Sequence, residues 1–257
     1  MRRRQIATLA HFTLLEALRT RLPWLFIILL ALVFAVAGFM QQLAITDSTR
    51  ILVAFSAAAT RLVAVFVLSL HILTSMVREF DDKGLELTLS FDVRRADYIL
   101  GRLLGFALIA VAIALIAALP QLMLAPRPAA LQWALSLALE LVMIAALSLF
   151  SIVTFTRLLP AATFVGAFYL LARSLSAIRL ISDAAIAGGD APSHQLMARL
   201  VDGLALLVPA LDRYAQSAWL VDGAAAWSLL GGCAVQSALY TGLLTAAATF
   251  DFYRRNL

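Results

Sequence analysis

The chain has 257 residues and a mass of 27.8 kDa; 63% of them are hydrophobic, 14% are charged, and the mean hydropathy is +0.95. Soluble domains run nearer half apolar and a quarter charged, so this composition excludes a soluble globular protein and a disordered one and puts most of the chain in lipid. Twenty basic residues against fifteen acidic ones leave a net charge of +5, but they are scattered between apolar runs, which suits the orientation of membrane loops and not a nucleic-acid surface.

Residues 5–21 come first. On a 3.6-residue helix Leu14, Leu15, Leu18 and Leu22 fall within about 100° of arc. With Arg19 and Arg21 beside them, they read either as a helix in the inner membrane interface or as a flanking anchor that sets topology. The first apolar run is Leu22–Met40. Arg2–Arg4 and the Ala35-Val36-Ala37 triplet resemble a signal peptide, yet residues 5–21 separate the basic start from the run, and the run continues past the triplet. It is read as a retained span.

Five more runs follow, and each is near the roughly 20 residues that cross a bilayer as a helix. They are 55–77 (broken only by Arg61), 98–119 (ended by Pro120), 131–155, 160–181 and 224–250. None alternates as β-barrel strands do. The expected fold is therefore all-α and integral to the membrane, one transmembrane domain over 1–257 with six spans. Arginines and the one lysine, Lys83, divide 13 to 7 between alternate loops, counting Arg61 and Arg173 with the smaller set. This bias puts both termini in the cytoplasm, as six spans require. Cys233 is the single cysteine, and it excludes an internal disulfide. It sits in an apolar run and reads as a packing residue. His11, His71 and His194 have no metal-ligand spacing, and His71 reads as a buried hydrogen-bonding residue.

Two loops stand out. The inside stretch 78–97 is the most polar part of the chain. Within it Leu85, Leu87, Leu89 and Phe91 alternate with Glu86, Thr88 and Ser90. Alternation favours a strand; a helix would instead show two opposed apolar pairs, one for the membrane domain and one for a partner. The outside stretch 182–222 opens with a Gly188-Gly189-Asp190-Ala191-Pro192 turn signal. Leu196–Val208 then reads as helical, and Tyr214, Trp219 and Trp227 suit an interfacial belt. These residues hold no G-x-x-x-x-G-K-[ST] phosphate loop, no H-E-x-x-H and no G-x-S-x-G.

The stretch REFDDKGLELTLSFDVRRADYILGRLLG, residues 78–105, resembles the cytoplasmic loop of type-2 ABC transporter permeases. That family carries R-E-x-x-x-G-T-L-E-x-L-L-S-x-P and then G-K-x-x-G at the start of its third span. Arg78, Glu79, Gly84, Glu86, Leu89 and Ser90 match, as do Gly101 and Gly105, with Arg102 in the basic slot. Leu85 replaces the usual Thr, and the Pro is missing. The resemblance implies a coupling helix in this loop that docks on a separate ATP-binding subunit. Two such subunits, carrying ATP and magnesium, would drive two copies of the permease as an exporter in a bacterial inner membrane, with no cofactor on this chain. It makes Arg78, Glu79, Lys83, Gly84, Leu85, Glu86 and Leu89 the partner-binding candidates, and Glu79 and Glu86 the charges that hold the loop or the partner. It also implies short helices dipping into the outer leaflet before the sixth span.

Charges inside spans form the other candidate site. Glu140 is about 14 Å into the fourth span, and Arg173 roughly 20 Å into the fifth by helix rise. Both fall in the outer half and can pair, as a structural ion pair or as a polar lining for a substrate path. Arg61 is expected to snorkel to the outer interface. If Glu140 were the working group, the alternatives to a permease are an ATP-independent secondary transporter or an intramembrane enzyme.

Overall fold

A computed structural model describes residues 2–43, 47–82, 94–187, 203 and 208–254. Among these residues there is no strand. The helices are α1 (Arg2–Arg19), α2 (Leu22–Leu43), α3 (Ser48–Asp81), α4 (Arg95–Leu124), α5 (Arg127–Phe155), α6 (Leu158–Ala187), α7 (Ala218–Asp222) and α8 (Trp227–Arg254), with one 3-10 turn at Leu211–Arg213. Six of them, α2 to α6 and α8, are long and apolar enough to cross a membrane. The protein is an all-α, multi-pass membrane protein. Hydrocarbon offers no water to free N–H and C=O groups, so each apolar run closes its own backbone bonds as a helix.

The helix ends differ from the hydropathy limits in two places. The helix expected to end at Pro120 continues to Leu124. Proline so near a C-terminus removes one backbone bond, to the carbonyl four residues back, and neighbouring helices hold the rest. The helix of the second span runs past Val77 to Asp81, so Arg78 and Glu79 ride on its last turns.

Short links at 20–21, 44–47, 125–126 and 156–157 make successive spans antiparallel. The bundle therefore has two ends. At the base, α3 stops and α4 starts, and the C-terminus of α8 joins them: Arg95 Nη1 donates to the Phe252 carbonyl at 2.8 Å. At the opposite end Arg50, near the start of α3, pairs with Asp222 at 2.7 Å.

The fourth span, α5, is the hub. In its most apolar stretch 72% of the residues are buried, against 17% in α2 and α8. It packs on α3, α4, α6, α7 and α8. Small residues along it, among them Ala130, Ala134, Ala145, Ser148 and Ser151, are buried and let neighbours approach closely.

At the other extreme of the chain, α1 lies along α4. A Cβ added at Gly105 would fall 2.5 Å from Thr13 Cβ, and one at Gly101 would fall 2.8 Å from Leu9 Cβ. The two glycines, one helical turn apart, are thus the seat of α1. The face of α1 turned to them is Ala10, Thr13 and Ala17, all buried, while Leu18 of the leucine stripe is 62% exposed. Small residues meet the glycines because the helix axes are too close there for leucine.

Candidate functional site

Two clusters of buried polar side chains lie at different depths. The first is at the base and joins α1, α3 and α4. Arg102 enters it one residue after Gly101. Its Nη2 donates to Glu79 Oε2 of α3, and its Nη1 donates to Glu16 Oε2 of α1 at 3.2 Å and to Thr13 Oγ1 at 3.0 Å. Ser75 Oγ donates to Glu16 Oε1 at 2.7 Å. One guanidinium thus holds two carboxylates from two other helices, the forked geometry that arginine suits better than lysine. Burial alone would raise the Glu16 carboxyl, but the Ser75 hydrogen bond and the Arg102 charge outweigh it and hold Glu16 below the ordinary range. One α-helical turn from Ser75, His71 is buried edge-on to Phe106, and its Nε2 has no hydrogen-bond partner among the described residues.

Of the loop residues, Arg78 is exposed at the end of α3 and Glu79 is turned inward to Arg102. Glu79 is therefore a residue that holds the root of the loop. Lys83, Gly84, Leu85, Glu86 and Leu89 lie outside the described residues, and so does the choice between strand and helix for 85–91. The helical reading of 196–208 lies outside them too, except for Gly203 and Val208.

The second cluster is toward the opposite end and surrounds the segment 208–215, which turns into the bundle. Val208, Leu211, Tyr214 and Ala215 are buried. Backbone carbonyls exposed at such depth need donors, and the surrounding helices supply them. Arg61 Nη1 of α3 and Trp133 Nε1 of α5 donate to the Ala215 carbonyl at 2.9 and 3.1 Å. The Ala215 N–H donates to Ser136 Oγ at 3.0 Å. Arg173 Nη1 of α6 donates to the carbonyls of Leu211 and, at 3.0 Å, of Tyr214. Tyr214 Oη donates to the Cys233 carbonyl of α8 at 2.7 Å.

Arg61 is thus not at an interface: it is 8% exposed and spent on a main-chain carbonyl. A nearby carbonyl without a partner is a better acceptor for it than distant water. For the same reason Tyr214 and Trp219 are buried and not part of an aromatic belt, whereas Trp227 is 67% exposed. Cys233 is a buried packing residue.

The sequence pair Glu140–Arg173 does meet here, with Arg173 Nη1 3.8 Å from Glu140 Oε1. Tyr169 Oη donates to the same oxygen at 3.2 Å. Glu140 is fully buried, and its Oε2 has no hydrogen-bond partner among the described residues. The carboxylate sits between two arginines whose hydrogen bonds go to the inturned segment, so charge balance is one of its tasks. Among the described residues no group of His, Cys, Asp or Glu could hold a metal ion.

Sequence reasoning missed Glu16, the only acidic residue of α1, and saw Arg102 only as a basic motif position. Both clusters read as devices that fix helices to one another and a re-entering segment to its walls. No protein-family model matches the chain. No curated protein gives a significant match either.

Proposed function

We propose that this chain is the membrane-spanning permease of an ABC exporter, powered by ATP-binding subunits on a separate chain. The observation that carries this reading is the meeting of the two halves of the loop motif. Glu79, before the loop, is bound to Arg102, after it, and Gly101 and Gly105 seat α1 on the same helix. A partner that moves residues 83–93 would therefore act on α1, α3 and α4 together. Force on a rigid root is what a two-state transporter needs, since a partner shifts an equilibrium only through contacts that differ between the states. On this reading two ATP-binding subunits, carrying ATP and magnesium, dock on the loop of two permease copies, both termini face the cytoplasm, and the membrane is a bacterial inner membrane.

The test is a pull-down of the tagged chain from native membranes in mild detergent, with ATP hydrolysis assayed on the eluate. An ATPase that co-purifies, and is lost when Lys83→Glu and Glu86→Lys reverse the loop charges, supports the reading. Glu79 is left unchanged, because its substitution would break the root. A chain that emerges alone, with no ATP hydrolysis, overturns it. A second reading, an ATP-independent secondary transporter, draws on the fully buried Glu140 with one unpartnered oxygen. It requires flux in proteoliposomes driven by a proton gradient without ATP, abolished by Glu140→Gln.

A further inference from the structure

A groove of about 940 Å³ runs along the bundle surface between α4, α5 and α8. One wall is made of large apolar side chains, Leu100, Leu103, Leu139 and Val142. The other is α8, which presents Ala238, Gly242 and Ala246 at intervals of one turn. The groove exists because α8 has no large side chains there: a Cβ added at Gly242 would meet nothing within 4 Å. The stretch from Gly242 to Tyr253 is about 16 Å long by helix rise, close to the hydrocarbon depth of one leaflet.

The basal mouth of this groove is basic. Ala96 and Tyr253 line it, so it opens between the first turn of α4 and the last turn of α8. Arg94 and Arg254 are exposed there, and the Arg254 guanidinium lies over the Phe250 ring at 5.4 Å. Arg95 Nη1 donates to the Phe252 and Tyr253 carbonyls at 2.8 and 3.3 Å and so clamps the two helix ends that frame the mouth. The acidic groups nearby are turned to other tasks. Asp97 is buried, and Asp251 accepts a 2.7 Å bond from Thr154. What faces outward is apolar depth under arginine.

We propose that this groove is a binding site for an anionic phospholipid, its acyl chains against α8 and its phosphate among Arg94, Arg95 and Arg254. Basic pockets between membrane helices recognise anionic headgroups through charge, and hydrocarbon chains fill the space that small residues leave, restoring contacts a void would forfeit. The site needs no ATP-binding partner and stands apart from the transport reading.

The test is native mass spectrometry of the full-length chain in detergent, with phosphatidylglycerol and phosphatidylcholine added at equal concentration. The expected result is preferential retention of phosphatidylglycerol. One cation near an anionic surface strengthens binding about fivefold, so the Arg94→Gln/Arg254→Gln double variant should lose about 25-fold of that preference. Gly242→Phe, which fills open space, should lower retention of both lipids. Thermal unfolding of each variant confirms that it is folded. Equal retention of the two lipids by the unmodified chain, a preference unchanged in the double variant, or retention unchanged by Gly242→Phe overturns the proposal. So does a Gly242→Phe variant that breaks a dimer, which would give the groove to a second copy of the chain.

Discussion

Replacing Arg102 by Met keeps the length of the side chain and removes its charge. The Arg102 side chain is 10% exposed, and the carboxylates it holds, Glu79 and Glu16, are 13% and 33% exposed. Taking one partner from a buried ion pair costs about 3–5 kcal/mol, chiefly because the other charge is stranded. Glu79 bears most of that. Glu16, a third exposed and still bonded to Ser75, adds little, so the expected loss is about 4 kcal/mol. For a chain of this size that lowers the unfolding midpoint by roughly 8–16 °C. Cys233 is 3% exposed and is the single cysteine, so a thiol-reactive dye in detergent reports unfolding without an added label. The charge-free triple variant, Glu16→Gln, Glu79→Gln and Arg102→Met, should recover most of the loss, because a buried ion cluster and neutral groups of like volume are close in stability.

pH gives a second arm with a definite sign. In the unmodified chain Glu16 is held below its ordinary 4.5. Its contribution is present above that value and is lost as pH falls through the lower folded one. Without Arg102, burial dominates and the carboxylates of Glu16 and Glu79 rise. The single variant should therefore gain stability between pH 7 and pH 5, where the parent gains none from Glu16. A variant within 2 °C of the parent, or a triple as unstable as the single, would refute the ion-cluster reasoning; the 2 °C limit is about 1 kcal/mol or less for a chain of this size.

Three further outcomes are expected. Gly105→Leu must lift α1 from α4, since even its Cβ meets Thr13; overpacking of about 1–3 kcal/mol should speed tryptic cleavage at Arg19 and Arg21 about tenfold, while Gly166→Leu, with nothing within 4 Å of its Cβ, leaves the rate unchanged. Arg61→Met removes a charged donor from the Ala215 carbonyl, a bond of about 1.5–3 kcal/mol; the inturned segment that covers Cys233 should open more often, and alkylation of that thiol should rise roughly 10- to 100-fold. Substitution of the Glu140–Arg173 pair should be asymmetric. Glu140→Gln keeps a Tyr169 acceptor and costs about 1 kcal/mol, whereas Arg173→Met strands a fully buried carboxylate and two carbonyls and costs about 3–5 kcal/mol, both read from the dye midpoint.

The six spans were legible because burial in lipid needs only a run of apolar residues, and Leu22–Met40 or 131–155 is such a run whatever its neighbours do. The contacts between spans were not. Glu79 and Arg102 are 23 residues apart, and nothing local to either says that the intervening chain returns to the same corner. Arg61 read as a snorkelling residue because a lone arginine in an apolar run has water as its nearest obvious partner. Its real partner is a carbonyl 154 residues on. Glu140 and Arg173 could be paired from helix rise alone, since both depths follow from span limits. Glu16 carried one signal that could have been used, a lone acid amid the basic residues of α1.

Ala215 has a consequence for how this protein tolerates change. Its φ of 42° is in the left-handed region, where a Cβ costs about 1–2 kcal/mol. Every described bond that holds it there is made to its main chain, by Arg61, Trp133 and Ser136. The instructions for the shape of this segment are therefore written in the walls around it. Residue 215 itself can drift, and glycine there would relieve the backbone. The freedom to vary is withdrawn from α3 and α5, at positions whose side chains do nothing for their own helices.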